Sequence, residues 1–591
     1  MTKVSLLRGV VPLACALGMV WACSSGGDKK KVPLPFDGDA GSAGASGDSN
    51  ASAGSGNSAG KGTGATGGTG GDQGEAGFNE SGAPATGGTA GSGGTSGTAA
   101  SGGTSGTAGS GGTSGSAGSG GASGSGGTTS APPIVHGLYL SPTGLDTNGG
   151  SHDAPYLTLA KAVAGAQSGD TLVLLDGTYA PQTFVNIPDG VNVVADHSGA
   201  AILGCSFGKM FTLLGSSYIG GVTFNNCSQP VVATTAGKLD MVDLLVINGS
   251  DSSGAGSIHI GGTVVATFSA STPDHVYTMG GTNTLGVSDS ASLTVTSGIF
   301  KNLNNGSFSG NATLRASATS KLLVKDTVFV DVSQPGVSGG DSADITLDHV
   351  TMDVLGNNAV LLRDNATFTS KNQTHLALTA LAPSRAQCVA TANGAISITD
   401  TDITGCSSGV VGVLPTNLTI TGSHIHDNDG LGIDVNTNGT GTLTVTNTEL
   451  NNNGTLSSQI PGAVRVTGSI LNVKFRGVNV HNNGGTNPNY YGIAMQGTSG
   501  SSYDFGTFAS PGGNTFLGGT GGAALTIQSP AGLTVPAVGN TWVPSLQGAD
   551  ASGKYAVTSG TKLEIIGPVT NPPTANYHLA TTIALDLAAT Q

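Results

Sequence analysis

Charge is what this chain has least of. Only 9% of its 591 residues are charged, against about 25% in an ordinary globular protein. Its 21 Lys and Arg face 35 Asp and Glu, for a net charge of −14. Phosphate backbones are bound by clustered Lys and Arg. The basic residues here are few and scattered, which excludes nucleic acid as a partner. Aromatic residues make up 5%, with two Trp. Long apolar runs are missing too. The run from Val10 to Trp21 is shorter than the roughly 18 residues of a membrane-spanning helix. Cysteine is sparse, at six.

Glycine fills the gap, at 100 residues, and it is unevenly spread. Lys3 and Arg8 precede the apolar run, and Val20-Trp21-Ala22-Cys23 at its end resembles a bacterial lipobox, although Trp21 replaces the usual small residue; the alternative is an ordinary signal peptide cleaved nearby. Residues 1–23 therefore read as a lipoprotein signal peptide, with Cys23 the acylated residue. From 24 to 130 the chain is almost entirely Gly, Ser, Ala and Thr, with SGGTSGTAG repeats between Gly91 and Gly120. Such a segment buries too little apolar surface to offset ordering entropy and reads as a disordered linker. The expectation is an exported bacterial outer-membrane lipoprotein, held to the membrane by its lipid alone and displayed at the cell surface.

From 131 to 575 the pattern changes. ISITDTDITG starts at Ile396, LTITGSHIHD at Leu418, LTVTNTELNN at Leu443 and VKFRGVNVHN at Val473. Alternate positions are aliphatic, the period of a strand with one buried face. Each copy is followed by a Gly/Asn turn and a second short strand. Self-similarity at roughly 22–28 residues with β-period strands predicts an all-β parallel β-helix, one repeat per coil. Aligning the copies places Ile403, Ile425, Leu450 and Val480 inward. Cys406, Asn428, Asn453 and Asn483 then share a turn position. Cys205 and Cys227 are one coil apart, within reach of a disulfide; Cys388 and Cys406 form the second candidate pair. At the start, Thr158 to Ser168 reads as a short capping helix, with Thr158 as N-cap and Gly169 beyond its end. Trp542 and the residues after it read as a closing cap, and 576–591 as a C-terminal tail.

The stretch YLSPTGLDTNGGSHDAPYLTLAKAVAGAQSGDTLVLLDGTY, Tyr139 to Tyr179, resembles the opening of pectate-lyase-like right-handed parallel β-helix proteins. It is similar in particular to a bacterial domain family of unknown function with that start. The resemblance implies a single-stranded right-handed solenoid. It does not imply one activity, because that superfamily includes lyases, hydrolases, epimerases and non-enzymatic adhesins. The hydrolase and epimerase signatures Gly-His-Gly, Asp-Asp and Asp-Pro-His-Asp are absent, so no catalytic residue is carried over.

One patch carries candidate chemistry. In the alignment His424 lies between Asp402 and Glu449, and His426 shares a column with Thr404, Asn451 and His481. Asp427 and Asp429 follow in the turn. Among these, His424, His426, Asp427 and Glu449 are the candidate acid–base groups for glycosidic cleavage, and the carboxylates could coordinate calcium. The competing reading is a solvated, Asn-rich face. Zinc shared by His426 and His481 is disfavoured, since two rungs separate them by about 9.6 Å. No motif implies an organic cofactor. The expected function is a non-catalytic surface rod that binds polysaccharide or a neighbouring envelope surface. The alternative is a polysaccharide lyase or glycoside hydrolase acting on acidic glycans.

Overall fold

The computed structural model describes residues 130–205, 208–249, 256–277, 285–301, 312–355, 357–378, 386–413, 417–454, 462–484, 491–496, 500–507, 509–517, 523–528, 534–537 and 539–543, with three later strands. The expected signal peptide with Cys23, residues 24–129 of the expected linker, 544–553 of the expected cap and residues 576–583 and 587–591 of the expected tail lie outside the described residues.

Three short strands per coil build a parallel β-helix. One coil runs Gln387–Thr391, Ala395–Thr399, Thr401–Thr404, and the next runs Ser408–Val413, Asn417–Thr421, His424–His426. Each strand pairs in parallel with its counterpart one coil on. The first two strand stacks share a 27-stranded sheet. The third stack begins as a four-stranded sheet and continues as an 11-stranded one. Further on, Thr534–Pro536, Ala584–Asp586, Lys562–Ile565 and Lys554–Ala556 form a small separate sheet.

Register follows the alternation in the sequence. In the first stack Val389, Val410, Ile433, Val464 and Ile493 succeed one another. In the second the sequence is Ile396, Leu418, Leu443, Val473, Tyr503. In the third it is Leu376, Ile403, Ile425, Leu450, Val480, Phe516. All of these are buried. The scarce aromatics are concentrated inside: Tyr277, Phe300 and Phe329 stack with ring centroids 5.0 Å apart at each step. A single coil would leave these faces in water, so the core exists only between coils.

The corners use residues suited to a left-handed backbone. Asp400, Gly422, Asn447 and Gly477 all have φ between 47° and 65°, a region open to Gly and tolerated by Asp and Asn. A buried Thr401, Ser423 or Thr448 comes next, and each hydroxyl donates to the carbonyl two residues back, at 2.9–3.0 Å. At the corner after the third stack, Asn428, Asn453 and Asn483 form a buried ladder. Asn428 Nδ2 donates to Asn453 Oδ1 at 2.8 Å, and Asn453 Nδ2 donates to Asn483 Oδ1 at 2.9 Å. The same Asn453 amide donates to Ile425 O at 2.9 Å. Cys406 heads this column, with its N–H donating to Asn428 Oδ1 at 2.9 Å.

Cys205 and Cys227 are bridged, with Cα atoms 4.9 Å apart, and Cys388 and Cys406 likewise at 5.6 Å. At the start, Thr158 Oγ1 accepts from Lys161 N, and Asp146 in turn accepts from Thr158 and Leu157. The helix spans Leu159–Gly165, shorter than the sequence suggests. Ala166 already has extended dihedrals, φ −77° and ψ 143°, and the left-handed Gly169, φ 96°, belongs to the turn beyond. Leu159 and Ala162 are the fully buried helix residues. The Tyr179 hydroxyl, 2.8 Å from Leu140 O and 2.9 Å from Leu175 O, ties the start piece to the first coil.

Replacing Asn453 with Ala would orphan buried groups above and below it. The Asn453→Ala variant is expected to lose about 3 kcal/mol, since each unsatisfied buried polar group costs roughly 1–3 kcal/mol. Chemical denaturation would measure this; an unchanged midpoint would mean the ladder carries no stability.

Candidate functional site

The corner residues set where the outward side chains of the third stack stand. Asp402, His424, Glu449 and Asn479 each lie two positions past a left-handed corner residue. They succeed one another in register, and His375 precedes them on the strand below. Two residues further along each strand, His426 pairs with Thr404 and Asn451, and Asn451 with His481.

Asp402 is the centre of the cluster. Its Oδ2 lies 2.7 Å from His375 Nδ1. Its Oδ1 lies 3.0 Å from His426 Nε2 and 3.5 Å from His424 Nδ1. His426 Nδ1 sits 2.6 Å from Asp427 Oδ2, and His424 Nε2 sits 2.6 Å from Asn451 Oδ1. The two imidazoles of the third-stack strand stack face to face, with centroids 3.9 Å apart and planes at 17°. Glu449 points the other way, its Oε1 lying 2.7 Å from His481 Nε2. The column order read from the sequence is therefore present, but Glu449 and His424 do not meet. His481 is occupied by Glu449 and takes no part in the His426 contact set.

Burial pushes the Asp402 carboxyl up, but the His375 hydrogen bond and the charges of His426 and His375 outweigh it and hold it below the ordinary 3.8. The hydrogen bond to Asp402 raises the His375 imidazole above 6.5, against burial. His375 was not among the candidates from the sequence. It sits in THLAL, where the neighbouring turn and strand lack the clear alternation of the later copies, and only the pairing Thr351, His375, Asp402 reveals its column.

Two other features stand outside this patch. Arg465 and Asp434, on adjacent rungs, form a bidentate pair, with Arg465 Nε donating to Asp434 Oδ1 at 2.8 Å. It is half-buried rather than freely exposed, and the hydrogen bond to Asp434 raises the Arg465 pKa. A surface cavity of about 380 Å³ opens on the second stack, lined by Val194, Tyr218, Val242, Asp243 and Ser271. The Tyr218 ring lies back over Gly220, where a Cβ would come within 2.7 Å of the ring. Only glycine leaves that space.

The Asp402–His375 contact has a pH window. A raised His375 contributes stability below 6.5 that is lost as pH rises through its folded pKa. A lowered Asp402 contributes stability above 3.8 that is lost as pH falls through its folded pKa. An NMR titration of the His375 ring is expected to give a midpoint above 6.5, falling in Asp402→Asn. An identical midpoint in the variant would contradict the contact.

The family described as "Protein of unknown function (DUF1565)" matches residues 142–236. No curated protein matches the chain. Among solved structures, tailspike protein 3 of bacteriophage CBA120 is similar at 10% identity and a TM-score of 0.35, over 69% of this chain and 60% of that one. The chain thus spans under two thirds of that tailspike's length. A mannuronic-acid-specific polysaccharide family 6 lyase from human gut microbiota matches at 13% identity and a TM-score of 0.33, covering 67% of this chain and 86% of the other. Pectate lyase Pel9A matches at 14% identity and a TM-score of 0.22, covering 63% and 80%. The shared feature is the parallel β-helix, and nothing about chemistry is taken from likenesses this distant.

Proposed function

We propose that this protein is a lipid-anchored surface rod that binds polysaccharide along the outward face of its third strand stack without cleaving it. The observation that supports this is the arrangement of that face. His375, Asp402, His424 and Glu449 repeat rung by rung, about 4.8 Å apart, on successive paired strands. A ladder of hydrogen-bonding groups at that spacing suits many weak contacts to an extended glycan chain. The net charge of −14 disfavours polyanionic chains, so neutral glycans are the better-matched class.

Cleavage fits the geometry less well. Asp402 and Glu449 are two rungs apart, about 9.6 Å, close to the carboxylate separation of inverting hydrolases. His424 stands on the strand between them, where the attacking water would need to be. Glu449 is directed to His481, and His426 Nδ1 is already engaged by Asp427.

The full chain is expected to be retained on neutral polysaccharide, less so as Glu449→Gln, and to release no shortened or unsaturated product from neutral or uronic-acid polymers with or without calcium. Product formation that disappears in a His424→Ala/His426→Ala variant would overturn the binding reading. For the anchor, labelled palmitate is expected on the wild-type chain and not on Cys23→Ser; equal labelling of both would remove Cys23 from the proposal.

A further inference from the structure

We infer that Asp402, His424 and His426 form a site for a divalent transition-metal ion of the zinc type. The argument starts from where the ring protons must be. Asp427 Oδ2 lies 2.6 Å from His426 Nδ1, and a carboxylate only accepts hydrogen bonds, so Nδ1 carries the proton. Asn451 Oδ1 lies 2.6 Å from His424 Nε2, and an amide oxygen also only accepts, so here Nε2 carries it. In their neutral forms the rings therefore present bare lone pairs at His426 Nε2 and His424 Nδ1. Both are turned on the same oxygen, Asp402 Oδ1, at 3.0 and 3.5 Å.

Three ligand atoms, all within 4.8 Å of one another, thus converge on one point. A proton on His426 Nε2 satisfies its contact to Asp402 Oδ1 but leaves the His424 Nδ1 lone pair turned on the same oxygen at 3.5 Å. Protonating both rings would stack two imidazolium cations at a centroid distance of 3.9 Å over a single carboxylate oxygen. A dication at the centre satisfies all three lone pairs. The spacing also fits: ligands about 2.0–2.1 Å from a tetrahedral zinc are about 3.3 Å apart, which the two measured separations bracket.

The surroundings resemble those of built metal sites. Metal-bound imidazoles usually donate their outer N–H to a carboxylate or carbonyl oxygen, as Asp427 and Asn451 provide here. His375 holds the other oxygen of Asp402 at 2.7 Å, which turns one oxygen inward. Two imidazoles and one carboxylate suit zinc, cobalt, nickel or ferrous iron, whereas calcium takes six to eight oxygens. Three protein ligands leave a fourth position for water or a ligand oxygen. The ligands come from one rung and its neighbour, so the two-rung separation that rules out His426 with His481 does not apply. A second group, Asp176, Asp196 and His197, is exposed, and His197 Nδ1 already lies against Asp176 at 3.1 Å. It serves as the internal comparison.

The site does not depend on glycan binding. The test uses the full chain stripped with a chelator and titrated separately with Zn²⁺, Co²⁺ and Ca²⁺. One equivalent of Zn²⁺ or Co²⁺ is expected to bind, with a Co²⁺ visible band typical of four-coordination, and with no saturable Ca²⁺ uptake. Asp402→Ala, His424→Gln and His426→Gln are each expected to weaken Zn²⁺ binding at least about tenfold, with melting curves confirming that the variants fold. His197→Gln is expected to bind as the parent does. Absence of stoichiometric uptake, or loss of uptake in His197→Gln with none in the other three, would overturn the inference. Glycan retention by the metal-free chain is scored in a separate assay, so either result can fail without the other.

Discussion

Everything in this molecule depends on vertical pairing between rungs. Each strand is three to six residues in most coils, too short to hold itself, and no coil encloses a core. The aliphatic columns that pass through Ile403, Ile425, Leu450 and Val480 are covered only by the rung above and the rung below. The same holds for polar groups. Asn428, Asn453 and Asn483 are buried, and their amides find partners only along the stack. A chain with so few charges and aromatics can be stable in this way because backbone ladders and stacked amides replace a bulky core.

The corners convert this pairing into surface chemistry. A left-handed residue at Asp400, Gly422, Asn447 or Gly477 fixes which side of the following strand faces water. Asp402, His424, Glu449 and Asn479 then fall into one outward column. The cluster is thus a product of register: a slip of one residue would carry His424 and His426 into the core and Ile425 into solvent. The contacts around Asp402 combine three successive strands, His375, Asp402 and His424 with His426, none of which holds a site alone.

Much of this was legible in the sequence, and for one reason. Where the copies from Ile396 to Val480 keep a strict two-residue alternation, the column assignments of the isoleucines, the asparagines and the histidines correspond to the paired strands. Legibility ended where side-chain direction, rather than strand position, decided the outcome. Glu449 shares a column with His424 but turns to His481. His375 lies in a coil whose alternation is blurred. The Tyr218 cavity depends on Gly220 leaving room for a ring, which no periodicity reveals. The helix was read too long because Ala162, Val163 and Ala166 keep a helical spacing, while the backbone at Ala166 has already turned extended toward the first strand.

The most direct test of the account is register itself. Thr419 and Thr444 face outward on neighbouring rungs and pair directly. Thr419→Cys/Thr444→Cys is expected to cross-link readily, because adjacent parallel strands lie about 4.8 Å apart, within disulfide range. Thr419→Cys/Thr446→Cys, two residues out of step, is expected to stay open. Equal cross-linking of both pairs, or none in the first, would contradict a β-helix stacked in this register.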